Sequence, residues 1–216
     1  MACQYWFLVI TRFHSLDLHQ EKFLTNIKVN YYHIILEAAS LSFYLCVTKS
    51  KEMATKKTIA IVGATETAGR AIVNQFSPMP YRLLLISHQP GQLNELTEKI
   101  NKQYPGVEIE SLECVKDGCW EADIIIIAVE AAEEKKVAEL MKDVATQKIV
   151  VVVSQNENAC RELEKVLPYS KIVKAFINQE RKEILLSGNN ETVNEEISKI
   201  FIQAGYNTIL QSINKI

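Results

Sequence analysis

From Thr58 onward the chain alternates short, continuous apolar runs with longer stretches whose apolar residues recur every three or four positions. The runs are Thr58 to Val62, Arg82 to Ser87, Asp123 to Val129, Ile149 to Ser154 and Ile172 to Ile177. A run without polar interruption predicts a strand buried on both faces, because a half-exposed strand would alternate apolar and polar residues. Helical spacing fills the intervals: Ala68 to Phe76, Gln92 to Gln103, Ala132 to Val144 and Ala159 to Val166, with Leu93, Leu96 and Ile100 on one face of the second. A weaker strand, Val107 to Leu112, precedes Asp117 to Ala122, which leads into the Asp123 strand. The final segment predicts a strand over Glu183 to Ser187, a helix over Glu191 to Ala204 and a closing strand over Thr208 to Ile213. Regular strand-helix alternation predicts an α/β fold: a parallel sheet with helices on both faces and a small C-terminal strand-helix-strand addition.

Residues 1–52 break this pattern. They are rich in aromatic and β-branched residues, but neither a 3.6-residue nor a 2-residue period persists in them. The longest apolar stretch, Tyr31 to Val47, contains His33 and Glu37 and falls short of the roughly 20 apolar residues of a membrane span. It also lies too far into the chain, with no convincing small-residue cleavage pattern, for a secretory signal. MATKKTIAIVG, from Met53, is how a compact nucleotide-binding domain commonly starts. The division expected is therefore an N-terminal extension over 1–52, poorly ordered or translated from a misplaced start, and a domain over 53–216. A genuine anchor or partner-binding extension is the other reading of the first segment.

The first strand ends in a glycine-punctuated turn, TIAIVGATETAG, residues 58–69. A dinucleotide-binding turn of the Rossmann type wants glycine at the tight turn, glycine where backbone meets pyrophosphate, and glycine or alanine where helix packs on strand. Gly63 and Ala68 take the first and third places and Thr65 the second. With the wider spacing GATGxxG, Gly63 and Gly69 fit and Glu66 holds the middle place. On either spacing the loop departs from the pattern at its closest phosphate approach. A threonine Cβ at 65 is expected to hold the backbone off, so that Thr65→Gly should tighten binding, and Glu66 sets a negative charge near the phosphates.

Composition narrows the function classes. The 216 residues carry 24 basic and 26 acidic side chains, scattered, so no electrostatic footprint for nucleic acid or an anionic membrane is present. Cys3, Cys46, Cys114, Cys119 and Cys160 are odd in number and form no CxxC pair, which indicates neither a disulfide framework nor a zinc site and makes a reducing cytoplasm the expected compartment. No nucleophile, base and acid arrangement emerges that would support a hydrolase. Cys114 and Cys119, with no histidine nearby, read as ordinary thiols.

Three later motifs carry a family resemblance. ADIIIIAVE, residues 122–130, resembles the A-D-V-V-(I/F)-L-A-V-P strand of the deazaflavin-dependent (coenzyme F420) NADP reductase family and of the N-terminal domain of pyrroline-5-carboxylate reductase. LPYSKIVKAFIN, residues 167–178, resembles the L-P-x-A-x-V-V-K-A-F-N segment of the deazaflavin group. ILLSGNNETVNEEISKIFIQAGY, residues 184–206, resembles its strand, G-D-D turn and helix. The resemblance implies a Rossmann-type domain that binds NADP, with a hydride passing between nicotinamide and a deazaflavin, flavin or other small acceptor; the cofactors supply the chemistry and the protein positions them. It places Gly63, Ala64, Thr65, Glu66, Thr67 and Ala68 in the phosphate loop at a helix N-terminus. Ser87 and His88 fall where the family has a Ser-Arg pair for the 2′-phosphate. Since the acid of NAD-specific proteins is missing there, NADP is favoured over NAD, with His88 a weaker anchor than arginine. Ala128 and Val129 line the adenine-to-nicotinamide side, where Glu130 replaces the family's proline, and Ser154 and Asn156 lie near the nicotinamide.

These residues also have plainer readings. Ser87 and His88 could form a strand-ending turn before Pro90 and Gly91, and Ser154 to Asn158 could cap the helix at Ala159. Lys174 is either a charge at an active-site edge or an exposed residue of an edge strand. The chain ends soon after the Ile209 strand, which argues against proline synthesis by this chain alone. An exposed terminal strand gives a homodimer a route. Two function classes remain: an NADP-dependent oxidoreductase, and a non-catalytic Rossmann module that senses nucleotide or binds a partner with its phosphate loop degraded.

Overall fold

The computed structural model describes residues 56–154 and 159–211, so the expectations for residues 1–52 and for Asn156 lie outside the described part. Eight strands form one sheet: β1 (Thr58–Val62), β2 (Arg82–Ile86), β3 (Glu108–Leu112), β4 (Ile124–Ile127), β5 (Ile149–Val153), β6 (Lys171–Asn178), β7 (Glu183–Gly188) and β8 (Asn207–Leu210). Their order is β3-β2-β1-β4-β5-β6-β7-β8. All neighbours pair in parallel except β6 and β7, which are antiparallel. The helices are α1 (Thr67–Phe76), α2 (Pro90–Gln103), α3 (Val115–Glu121), α4 (Ala131–Met141), α5 (Ala159–Val166) and α6 (Glu191–Gln203).

Successive residues of a strand point to opposite faces, and both faces are covered. Ile59, Ile61, Leu83, Leu85 and Val151 join one core with Ile72, Phe76, Ile100 and Phe201 of α1, α2 and α6. Their neighbours Ala60, Val62, Leu84, Ile86 and Val152 join the other with Cys119, Val137, Met141 and Leu163 of α3, α4 and α5. This two-sided burial is why the strands read as unbroken apolar runs. Each of the larger side chains so buried contributes roughly 1.5–3 kcal/mol. The C-terminal addition, β7-α6-β8, is fastened to the rest by aromatic packing. Phe201 meets Phe76 of α1 edge-on at 5.3 Å between centroids and Tyr206 at 5.7 Å.

Three expectations are corrected. The segment leading into β4 contains a helix, α3, which the sequence pattern missed because seven residues with a glycine inside make a poor periodic signal. The second helix starts before the expected Gln92: Pro90 opens α2 at its first position, where its missing N–H costs nothing. Lys174 is not on an edge strand, since β6 lies between β5 and β7; the sheet edges are β3 and β8. On β8, Ile209 and Leu210 are exposed. No helix among the described residues is long and apolar enough to cross a membrane.

Candidate functional site

The strand order reverses between β1 and β4, and in sheets of this kind the crevice at that switch point, outside the carboxyl ends of the strands, takes the ligand. Gly63 ends β1 there with φ +84°, a conformation that L side chains rarely adopt. A Cβ on it would also meet the Ala128 carbonyl oxygen at 2.6 Å and the Val129 side chain at 2.8 Å. The loop leaves the sheet tethered at three points. Gly63 and Ala64 donate their N–H groups to the Ile86 carbonyl oxygen at 2.9 and 3.1 Å, and Ala128 donates to that of Val62 at 2.8 Å.

The two possible spacings of the glycine turn are resolved by packing. A Cβ on Gly69 would lie 2.0 Å from the Gly63 carbonyl oxygen, whereas Ala68 is accommodated half-buried. Gly69 is therefore where helix meets strand, and the wider spacing, Gly63 to Glu66 to Gly69, describes the loop. Thr65 is not at the point of closest approach: its side chain is buried and its hydroxyl lies 2.5 Å from that of Ser87. The steric obstruction expected of Thr65 is thus replaced by a link between the loop and the end of β2. Glu66 takes the middle place. Half-buried, it is the N-cap residue of α1, its N–H bonded to the Gly63 carbonyl oxygen and its side chain making no cap. The first turn of α1, from Thr67, contains no acidic residue.

Ser87 serves as both readings of it allow. Its hydroxyl accepts the Gln89 N–H at 3.1 Å, shaping the turn into α2, and it lines a cleft of about 140 Å³ with the exposed His88. The cleft opens at the ends of β1, β2 and β4. Val115, Val129, Val137 and Leu140 give it apolar walls, and Glu113, Glu133 and Lys136 join His88 as its charged groups. Sequence reasoning missed the residues that α3 and α4 contribute, because only the tertiary fold brings them to the end of β2. A larger recess of about 440 Å³, touching Glu164, Pro168 and Asn189, lies at the opposite ends of the strands, away from the loop.

Ser154 lies one strand further, just past β5, and bonds the buried Glu134 of α4. Burial pushes the Glu134 carboxyl above its ordinary range, while the Ser154 hydrogen bond and the nearby Lys174 charge pull it down. One of its oxygens has no hydrogen-bond partner. Of the residues expected at the site, Gly63, Ser87, His88 and Val129 line the cleft at the ends of β1, β2 and β4; Ala64, Thr65, Glu66, Thr67 and Ala68 form the loop and helix start that follow Gly63, Ala128 packs against Gly63, and Ser154 lies beside Glu134. Glu130 stands at the N-cap position of α4, its side chain making no cap bond. Among the described residues no cluster of metal-binding side chains occurs.

The fold is found in known proteins. Residues 58–164 match the family model of the coenzyme F420-dependent NADP oxidoreductases. A protein of Arthrobacter sp. FB24, provisionally named an F420-dependent NADP reductase, is similar in structure with a TM-score of 0.59 at 15% identity, over 71% of this chain and 84% of that one. A pyrroline-5-carboxylate reductase of Coxiella burnetii gives 0.59 at 20% identity, over 74% of this chain and 60% of that one. A reductive aminase of Aspergillus terreus, solved with NADPH and ethyl levulinate, gives 0.58 at 13% identity, over 73% of this chain and 55% of that one. At these identities the likeness is one of fold, and the chain spans just over half the length of the last two proteins. No curated protein matches the sequence. The resemblance read from the motif at residues 122–130 is thus matched by a family model: over residues 58–164 this chain is similar to the coenzyme F420-dependent NADP oxidoreductases.

Proposed function

We propose that this chain binds NADP(H) across the switch point and passes a hydride between its nicotinamide and a small acceptor, a deazaflavin, a flavin or another compound of that size. One observation carries the reading: a loop cleared of side-chain bulk at Gly63 and Gly69 opens onto an apolar cleft at the ends of β1, β2 and β4. The uncapped N-terminus of α1 offers N–H groups and the positive end of a helix dipole to a pyrophosphate. Val115, Val137 and the half-exposed Leu140 give an adenine ring its apolar walls, and Ala128 and Val129 continue towards the nicotinamide. The Aspergillus protein, of the same fold, holds NADPH. Bound cofactor supplies the hydride; the residues of this chain position it and exclude water. A reducing cytoplasm suits this role, and a second copy of the chain pairing along β8 is part of the same proposal.

Glu66 favours a second reading, a Rossmann module that has kept the fold and lost tight binding. A carboxylate near the phosphates costs on the order of 1 kcal/mol even when partly screened, or roughly tenfold in affinity. Titration of the full chain with NADPH and NADH, followed by nicotinamide fluorescence, separates the two. Saturable binding, followed by NADPH oxidation on adding a deazaflavin or flavin, supports the enzyme. Saturable binding with no oxidation by any acceptor supports the module, and no binding at millimolar cofactor sinks the enzyme reading.

A further inference from the structure

The end of β2 itself carries no lysine or arginine, and the lysine that lines its cleft, Lys136, comes from α4 together with Glu133. His88 presents an imidazole rather than a guanidinium fork, and the Ser87 hydroxyl is engaged with Thr65 and with the Gln89 N–H. A permanent cation reaches the same place from α1. The exposed Arg70 folds its guanidinium back over the glycine loop, where Nε donates to the Thr65 carbonyl oxygen at 2.6 Å. Nη2 donates to Oε1 of Gln92 in the first turn of α2. Thr65 touches Ser87 in turn, so Arg70 bridges the loop after β1 and the turn after β2, the two segments that flank the 2′ position of an adenosine ribose in this fold. Among the described residues no carboxylate is ion-paired with it. Its remaining N–H groups form a rigid fork of the kind that matches phosphate oxygens.

We infer that Arg70 is the residue by which this chain selects NADP(H) over NAD(H), supplying from α1 the charge and the fork that the end of β2 lacks. The inference rests on the cofactor reading above and deepens it. Arg70 also stands one turn from Glu66, its backbone N–H bonded to the Glu66 carbonyl oxygen.

The test is a set of equilibrium titrations of the full chain, and of Arg70→Gln, Arg70→Lys and His88→Gln, with NADPH, NADH and 2′,5′-ADP. Arg70→Gln is expected to weaken NADPH and 2′,5′-ADP by about tenfold or more, the range of a charge-assisted hydrogen bond, while NADH affinity is unchanged. Arg70→Lys retains part of the preference, because it keeps the charge without the fork. Added salt weakens NADPH binding more in the parent than in Arg70→Gln. Equal loss of NADPH and NADH in Arg70→Gln overturns the inference, since Arg70 would then only support the loop; so does a preference that His88→Gln abolishes and Arg70→Gln spares. If Arg70→Gln fails to fold, Arg70→Lys decides on the same criterion. A parent chain that binds neither cofactor removes the cofactor reading itself, an outcome distinct from all of these.

Discussion

The hydroxyls of Thr65 and Ser87 lie 2.5 Å apart in a buried position, 22 residues apart in the chain. Each satisfies the other, and together they fix the phosphate loop to the end of β2. Ser87→Ala leaves the Thr65 hydroxyl without this partner in a buried place, at a cost of about 1–3 kcal/mol, whereas after Thr65→Val the Ser87 hydroxyl still accepts the Gln89 N–H. Thr65→Val and Ser87→Ala should each lower the urea midpoint, and the double variant should lose less than the two losses added together, because it leaves no hydroxyl stranded. Strict additivity would show that the two side chains do not meet.

Gly69 is expected to tolerate no side chain. The Cβ of Gly69→Ala would stand 2.0 Å from the Gly63 carbonyl oxygen, so α1 must shift away from the strand end. Overpacking of this kind costs typically 1–3 kcal/mol, and nucleotide binding should fall with the displaced loop. Denaturation and titration of Gly69→Ala beside Ala68→Gly check it. If the alanine variant matches the parent in both, the wider glycine spacing is wrong.

Glu134 makes stability depend on pH with an uncommon sign. Its carboxyl is raised in the folded chain above the ordinary 4.5, mainly by burial. Between the unfolded and folded values the native state holds the extra proton, so stability falls as pH rises from about 4.5 through the folded value and then levels. Glu134→Gln lacks this dependence. Urea melts should find it gaining on the parent as pH rises from weakly acidic to neutral; a gap that is constant across that range would contradict the assignment.

Cys114 and Cys119 should differ in reactivity. Burial pushes the Cys119 thiol up to about 12, whereas Cys114 is exposed at the start of α3. Thiol labelling of the native chain at mildly alkaline pH, read by peptide mapping, should modify Cys114 promptly and Cys119 only after unfolding. Equal labelling rates would mean that α3 does not pack as described.

Much of the fold could be read from the chain because its physics is local in sequence. Strands buried on both faces must be apolar throughout, so β1, β2, β4, β5 and β6 announce themselves, and helices with one buried face repeat at 3.6 residues. The short α3 escaped this reading for a tertiary reason. Gly118 weakens its helical signal, yet a Cβ there would meet Ile86 Cδ1 at 2.6 Å, so glycine is what lets the helix lie against β2. Lys174 misled in the same way, because its half-buried place on an interior strand depends on β7 returning antiparallel beside β6.

By itself the sequence determined that a glycine turn follows a buried strand and opens a helix, that no acid ends β2, and that its motifs resemble those of one family, whose model matches residues 58–164. Only the tertiary structure decided what the loop residues do. It turned Thr65 inward to Ser87, made Gly69 the contact of helix with strand, left Glu66 at the mouth of the loop and carried Arg70 across to Gln92. Those roles depend on contacts between segments some 20 residues apart, and the pattern along a chain records which residues are buried far better than which buried or polar residues meet.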